Sequence, residues 1–229
     1  MSLLAFETST ESCSVALLHG DELIWRSQLA PRRHAELVLP MADELLAEAG
    51  IGKSQLDAIA VGRGPGAFTG VRLGVSLAQG LAFALDLPVV PVSSLAALAM
   101  QAPVDGPATL AVIDARMGEV YAACFSRDEQ GLVQPLDEER VSAPEDIRLP
   151  GSGQEWQVLG SGWAVYADTL RAAVGSDPRW SAAEHYPQAA DTARLAARDL
   201  KAGGGVPADQ ALPVYLRDKV AQTVAERAQ

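Results

Sequence analysis

Few residues of this chain stand in arrangements that perform chemistry. His19, His34 and His185 are its histidines, and none has a second ligand three to five residues away; Cys13 and Cys124 lie far apart, with no Cys or His at metal-site spacing. No metal site is expected, and without a Gly-x-Ser-x-Gly segment neither is a nucleophile elbow. Two acids draw attention. Glu7 and Asp114 each end an apolar strand-like run, so they could face one another across a cleft and hold Mg²⁺; equally, each could simply order its own hairpin turn. The densest segment is Gly62-Arg63-Gly64-Pro65-Gly66-Ala67-Phe68-Thr69-Gly70. Glycines allow close backbone approach, and a loop leading into a helix presents free N–H groups to an anion. Gly64, Gly66 and Thr69, with Glu7 and Asp114, are therefore candidate nucleotide or anion contacts. No Lys-Ser or Lys-Thr follows the last glycine, and the spacing fails the dinucleotide fingerprint. The competing reading is a tight turn that lets a helix pack hard on a sheet.

The elements that must position these residues follow from periodicity. Residues 3–28 read as three successive strands, with Gly20-Asp21 at the second turn. From His34 to Gly50, Leu37, Met41, Leu45 and Ala49 recur every four residues, predicting a helix bent or started late by Pro40. The strand DAIAVG, a helix over 70–85 capped by Thr69, the strand LPVVPVSS and a short helix over 95–101 complete a first lobe. The Pro/Gly-rich residues 102–107 suggest a boundary dividing the chain into 1–103 and 104–229. The opening pattern then returns in LAVIDARMGEVYAACF, with Asp114 where Glu7 stood. A third strand near 132–141, another at 157–160, helices over 164–174 and 188–202, and an extended LPVYLRDKVAQ follow. The expected fold class is α/β, with two ribonuclease-H-like lobes, the second reduced.

Helix 70–85 carries only Arg72, Ser76 and Gln79 as strongly polar side chains, so it needs cover on two sides. Gly70, Gly74 and Ala78 form one stripe of small residues; Ser76, Gly80 and Ala84 form another. One can face its own sheet and the other a partner helix, or both can be internal. On the partner reading, Leu37, Met41, Leu45, Leu73 and Leu77, with Gly74 and Ala78, form the interface.

A chain of 229 residues, 48% hydrophobic, with 29 acids against 18 bases and a net charge of -11, is not disordered. The acidic balance argues against a stand-alone nucleic-acid binder. The start MSLLAFETSTE lacks a basic segment and reaches an acid at Glu7, unlike a signal peptide or a membrane span. Two isolated cysteines in apolar runs suit a reducing compartment, so a cytoplasmic location is expected.

Four segments, LLAFETSTESCSVAL, RRHAELVLPMADELLAEAG, GRGPGAFTGVRLGVSLAQGLAFAL and IDARMGEVYAA, together with the closing PVYLRDKVA, resemble the bacterial TsaB family, also called YeaZ. Residues 127–205 match it loosely. The resemblance implies an actin-like, ASKHA-type fold and a non-catalytic subunit of the complex that adds threonylcarbamoyl to adenosine 37 of tRNAs reading ANN codons. It further implies docking on a TsaD-like catalytic subunit, recruitment of a TsaE-like ATPase, indirect contact with tRNA, and a homodimer when alone. Helices 34–50 and 70–85 would form the docking bundle. Where the catalytic relative carries two metal-binding histidines four apart, this chain has Ser94 and Leu98, so the resemblance implies no catalytic residues and no cofactor of its own; ATP and metal belong to the partners. The first-hairpin loop, Thr8-Ser9-Thr10-Glu11-Ser12, lacks the glycines of nucleotide-binding members of the fold. The rival expectation is an autonomous ATP-dependent kinase or a peptidase-like enzyme on the same fold.

Overall fold

A computed structural model describes residues 1–151 and 155–217. The first lobe contains β1 (Ser2–Glu7), β2 (Ser12–His19), β3 (Glu22–Leu29), α1 (His34–Ala49), β4 (Ala58–Gly62), α2 (Phe68–Leu85), β5 (Val89–Val92) and α3 (Ser94–Ala99). After it come β6 (Ala108–Arg116), β7 (Glu119–Arg127), β8 (Val133–Pro135), β9 (Arg140–Ser142), β10 (Trp156–Leu159), α4 (Ser161–Val174), β11 (Trp180–Ala182) and α5 (Ala189–Lys201). The first sheet runs β3-β2-β1-β4-β5 and the second β8-β7-β6-β10-β11, with β9 also paired to β7. In each, an antiparallel hairpin is followed by parallel strands laid beside its first strand. The two lobes share one strand order, the duplication that the repeated opening pattern predicts.

Strand alternation assigns side chains to layers. Leu3 and Ala5 of β1 join Ala111 and Ile113 of β6 in a core between the sheets, filled by α3 and α5. Leu4 and Phe6 point the other way, into the core under α1 and α2, and Leu110 and Val112 pack beneath α4. Five layers result: helix, sheet, helix, sheet, helix. The central one is rich in alanine, from Ala58 and Ala60 to Ala189, Ala193 and Ala196, which lets the two sheets close on thin helices.

Several boundaries differ from expectation. α1 starts at His34 and runs through Pro40 as one helix. α2 starts at Phe68 with Ala67 at its N-cap, so Thr69 lies inside the first turn and caps nothing. The strand expected near 132–141 is two short ones, β8 and β9, and β11 was not anticipated. The division at 103/104 separates the sheets but not the packing. α5 returns to the first lobe and lies against β1, β2, β4 and β5, and Val206 bridges to Val89. Leu3, Leu95 and Leu98 are fully buried at this seam, each contributing about 1.5–3 kcal/mol. The tail beyond Arg217 lies outside the described residues.

Candidate functional site

The glycine-rich loop is a packing device. A Cβ at Gly66 would lie 2.3 Å from the Ser9 carbonyl oxygen, and one at Gly70 would lie 2.1 Å from that of Thr8. Only glycine lets the start of α2 rest on the first hairpin this closely. Two hydrogen bonds fasten the contact: Ala67 N–H donates to Ser9 C=O (2.7 Å) and Thr8 Oγ1 donates to Gly70 C=O (2.7 Å). The tight-turn reading thus accounts for the loop.

Glu7 does not face the cleft. Its side chain is fully buried, accepting hydrogen bonds from Ser9 N–H (2.8 Å) and Ser94 Oγ (3.0 Å). Burial pushes its carboxyl above the ordinary range, an effect partly opposed by those hydrogen bonds. Asp114 accepts from Arg116 N–H (2.9 Å) and pairs with the Arg116 guanidinium (2.8 Å). Each acid orders its own hairpin turn, Glu7 directed inward and Asp114 at the wall of the cavity between the lobes. Among the described residues, no group of three or more His, Cys, Asp or Glu side chains converges as a metal site would require.

A cavity of about 240 Å³ does open between the lobes, walled by the first hairpin, the start of α2 and the β6–β7 turn. Of the candidate anion contacts, Gly66 and Asp114 line it; Glu7, Gly64 and Thr69 do not. Ser9 Oγ and Thr10 Oγ1 are buried in its wall without a hydrogen-bond partner among the described residues. Its roof is Val214-Tyr215-Leu216-Arg217, a segment that sequence reasoning left without a role. Ser94, in the position compared with a metal-binding histidine, donates to Glu7; Leu98, in the other, is fully buried and packs at Gly160.

The two small-residue stripes of α2 have different fates. Gly70, Gly74 and Ala78 face the sheet, and a Cβ at Gly74 would lie 2.6 Å from Thr8 Oγ1. Ser76, Gly80 and Ala84 face outward, with nothing within 4 Å of a Cβ placed at Gly80. Four of the seven expected interface residues are turned into the chain's own core. Leu45 and Ala78 are 0% exposed, Gly74 is buried, and Met41 sits with Leu45 in the chain's own core. Leu37, Leu73 and Leu77 are half-buried. Phe83, 84% exposed, is the outward aromatic that the sequence reading missed; its place between Gly80 and Ala84 on the outer stripe was the available signal. Leu39, Ala42, Leu81 and Leu85 help line a cavity of about 180 Å³ between α1 and α2. Among the described helices, α2 alone is long and apolar enough to cross a membrane, with mean hydropathy 1.3 over 18 residues; its inner face is committed to the first sheet.

Duplicated lobes of this strand order around a central cleft define a two-lobed, actin-like protein of ASKHA type. Residues 27–226 match the TsaD family model, tRNA N6-adenosine threonylcarbamoyltransferase. The chain is 40% identical to the tRNA threonylcarbamoyladenosine biosynthesis protein TsaB of Escherichia coli, over 96% of each chain. It is also 40% identical to the TsaB of Haemophilus influenzae, over 96% of this chain and 95% of that one. The solved structure of YeaZ from Pseudomonas aeruginosa superposes with a TM-score of 0.88 at 45% identity, covering 94% of this chain and 99% of that one. Another solved structure, described as an uncharacterized protein with similarity to peptidase YeaZ from the same organism, matches at 44% identity with the same TM-score. The chain belongs to the TsaB (YeaZ) family.

Proposed function

We propose that this chain is a non-catalytic accessory subunit in the synthesis of threonylcarbamoyladenosine at position 37 of tRNAs reading ANN codons. It works in the cytoplasm by docking on a TsaD-like catalytic subunit and helping to recruit a TsaE-like ATPase, and it self-associates through the same helices when alone. The relatives' shared name supports the pathway. The observation that carries the docking role is the outer face of α2, where Phe83 stands 84% exposed beside a stripe of Ser76, Gly80 and Ala84. Small residues admit a second helix closely, and a large aromatic beside them supplies apolar area to the contact. The non-catalytic role is supported by Glu7, buried and engaged by Ser9 and Ser94, and by Leu98, which fills its position with core packing. ATP and metal are assigned to the partner subunits, and tRNA contact is indirect.

The test is Phe83→Asp. The side chain is exposed, so folding is expected to be unchanged by circular dichroism and thermal melting. Affinity for the TsaD-like subunit, measured by titration calorimetry, is expected to fall about 30-fold or more, the size of losing an interface anchor of about 2 kcal/mol. Unchanged affinity would remove α2 from the interface.

A further inference from the structure

The geometry points to the C-terminal segment 211–217 as an inter-lobe strap that closes the cleft and ties the rim of the second lobe to the start of α2, so that opening the cleft and freeing that end of α2 are one event. The segment crosses from lobe to lobe on successive anchors. Ala211 is fully buried and its carbonyl accepts from Gln79 of α2 (3.0 Å). Val214 N–H donates to the Arg63 carbonyl oxygen (2.9 Å) in the glycine-rich loop. Tyr215 stacks obliquely on Phe68, with ring centroids 5.7 Å apart, and its hydroxyl oxygen accepts from Arg72 Nε (2.6 Å). The Arg72 guanidinium lies 3.5 Å from the Phe68 ring centroid, completing a sandwich on the first turns of α2.

Arg217 reaches the second lobe. It donates to the Arg116 carbonyl oxygen (3.3 Å) and pairs with Glu119, on opposite sides of the β6–β7 turn. That turn is the strained part of the rim: Arg116 and Met117 hold φ of +63° and +57°, a left-handed conformation disfavoured for side chains with a Cβ. Arg116 is held there by Asp114 at its N–H, by Arg217 at its carbonyl, and by Glu11 of the first lobe at its guanidinium (2.8 Å). Beneath the strap lie Ser9 Oγ and Thr10 Oγ1, buried and without a hydrogen-bond partner among the described residues, which opening would return to solvent. Arg63 also pairs with Glu139 across the lobes (3.1 Å), and α5 is packed against the first sheet. The strap therefore governs the mouth of the cleft while the central layer stays fixed.

Hydrogen exchange read by mass spectrometry on the full chain tests this, comparing wild type with the Tyr215→Ala/Arg217→Ala double variant and with Tyr215→Phe. In the double variant, exchange is expected to rise about tenfold in peptides over 8–12, 66–72 and 113–119 together, the size of losing an aromatic stack and a charged hydrogen bond. Peptides over α5 and β10 are expected to be unchanged. Tyr215→Phe, which keeps the ring and loses the hydroxyl, should fall between. Unchanged exchange in the three rim peptides, a rise in one of them alone, or a rise that spreads to α5 and β10 would each overturn the strap.

Discussion

Glu7 is the acid whose type most invites a catalytic role, and its side chain is turned into the interior. It ends a central strand in which every residue from Ser2 to Glu7 is buried. Alternation of polar and apolar residues tells which way a half-exposed strand faces, but a strand covered on both sides carries no such signal. The sequence therefore offered an acid at a strand end without its direction. The structure turns it inward, under Ser9 and Ser94. Because burial raises its carboxyl above the ordinary carboxylate range, the folded state holds the proton more tightly than the unfolded chain. Stability contributed by this group therefore falls as pH rises from the unfolded value through the raised folded one. Glu7→Gln is expected to remove that dependence. The difference in unfolding free energy between variant and wild type, followed by urea denaturation between about pH 4 and pH 7, should move steadily in the variant's favour. Parallel curves would mean that Glu7 is not the desolvated acid described.

At the scale of elements, α2 makes the argument of two faces testable. Its composition announced that it needed two covers, and the stripes of Gly70, Gly74, Ala78 and of Ser76, Gly80, Ala84 were legible as such. Which stripe turned inward was not, since four-residue spacing identifies a face and not its direction. The same limit misled the reading of α1, where Leu37, Met41 and Leu45 share a spacing but Leu45 is sealed beneath the helix. The inward stripe depends on glycine and the outward one does not. Gly70→Ala would drive a Cβ against the Thr8 carbonyl, and a loss of about 2 kcal/mol or more is expected. Gly80→Ala meets nothing and should stabilise the chain by about 0.5–1 kcal/mol through helix propensity. Equal effects of the two substitutions by chemical denaturation would contradict the assignment of faces.

For the whole molecule, the duplicated lobe was readable because a strand-turn-strand ending in an acid occurs twice, and both copies fold to the same order. What escaped were the pieces that return. α5 covers the first sheet with Ala189, Ala193 and Ala196, small residues that mark tight packing without naming a partner far away in sequence. The strap's Tyr215 and Arg217 meet residues about a hundred or more positions earlier, beyond any local pattern. The net charge of -11 also fits the proposed accessory role, in which phosphate contacts would fall to other subunits. Reconstitution tests that proposed division of labour. Threonylcarbamoyladenosine formed on tRNA would be measured with TsaD-like and TsaE-like subunits, ATP and substrates, with this chain present, omitted, or supplied alone. Product is expected with the full set, little or none when this chain is omitted, and none from this chain by itself; undiminished product on omission, or turnover by the chain alone, would contradict the accessory role.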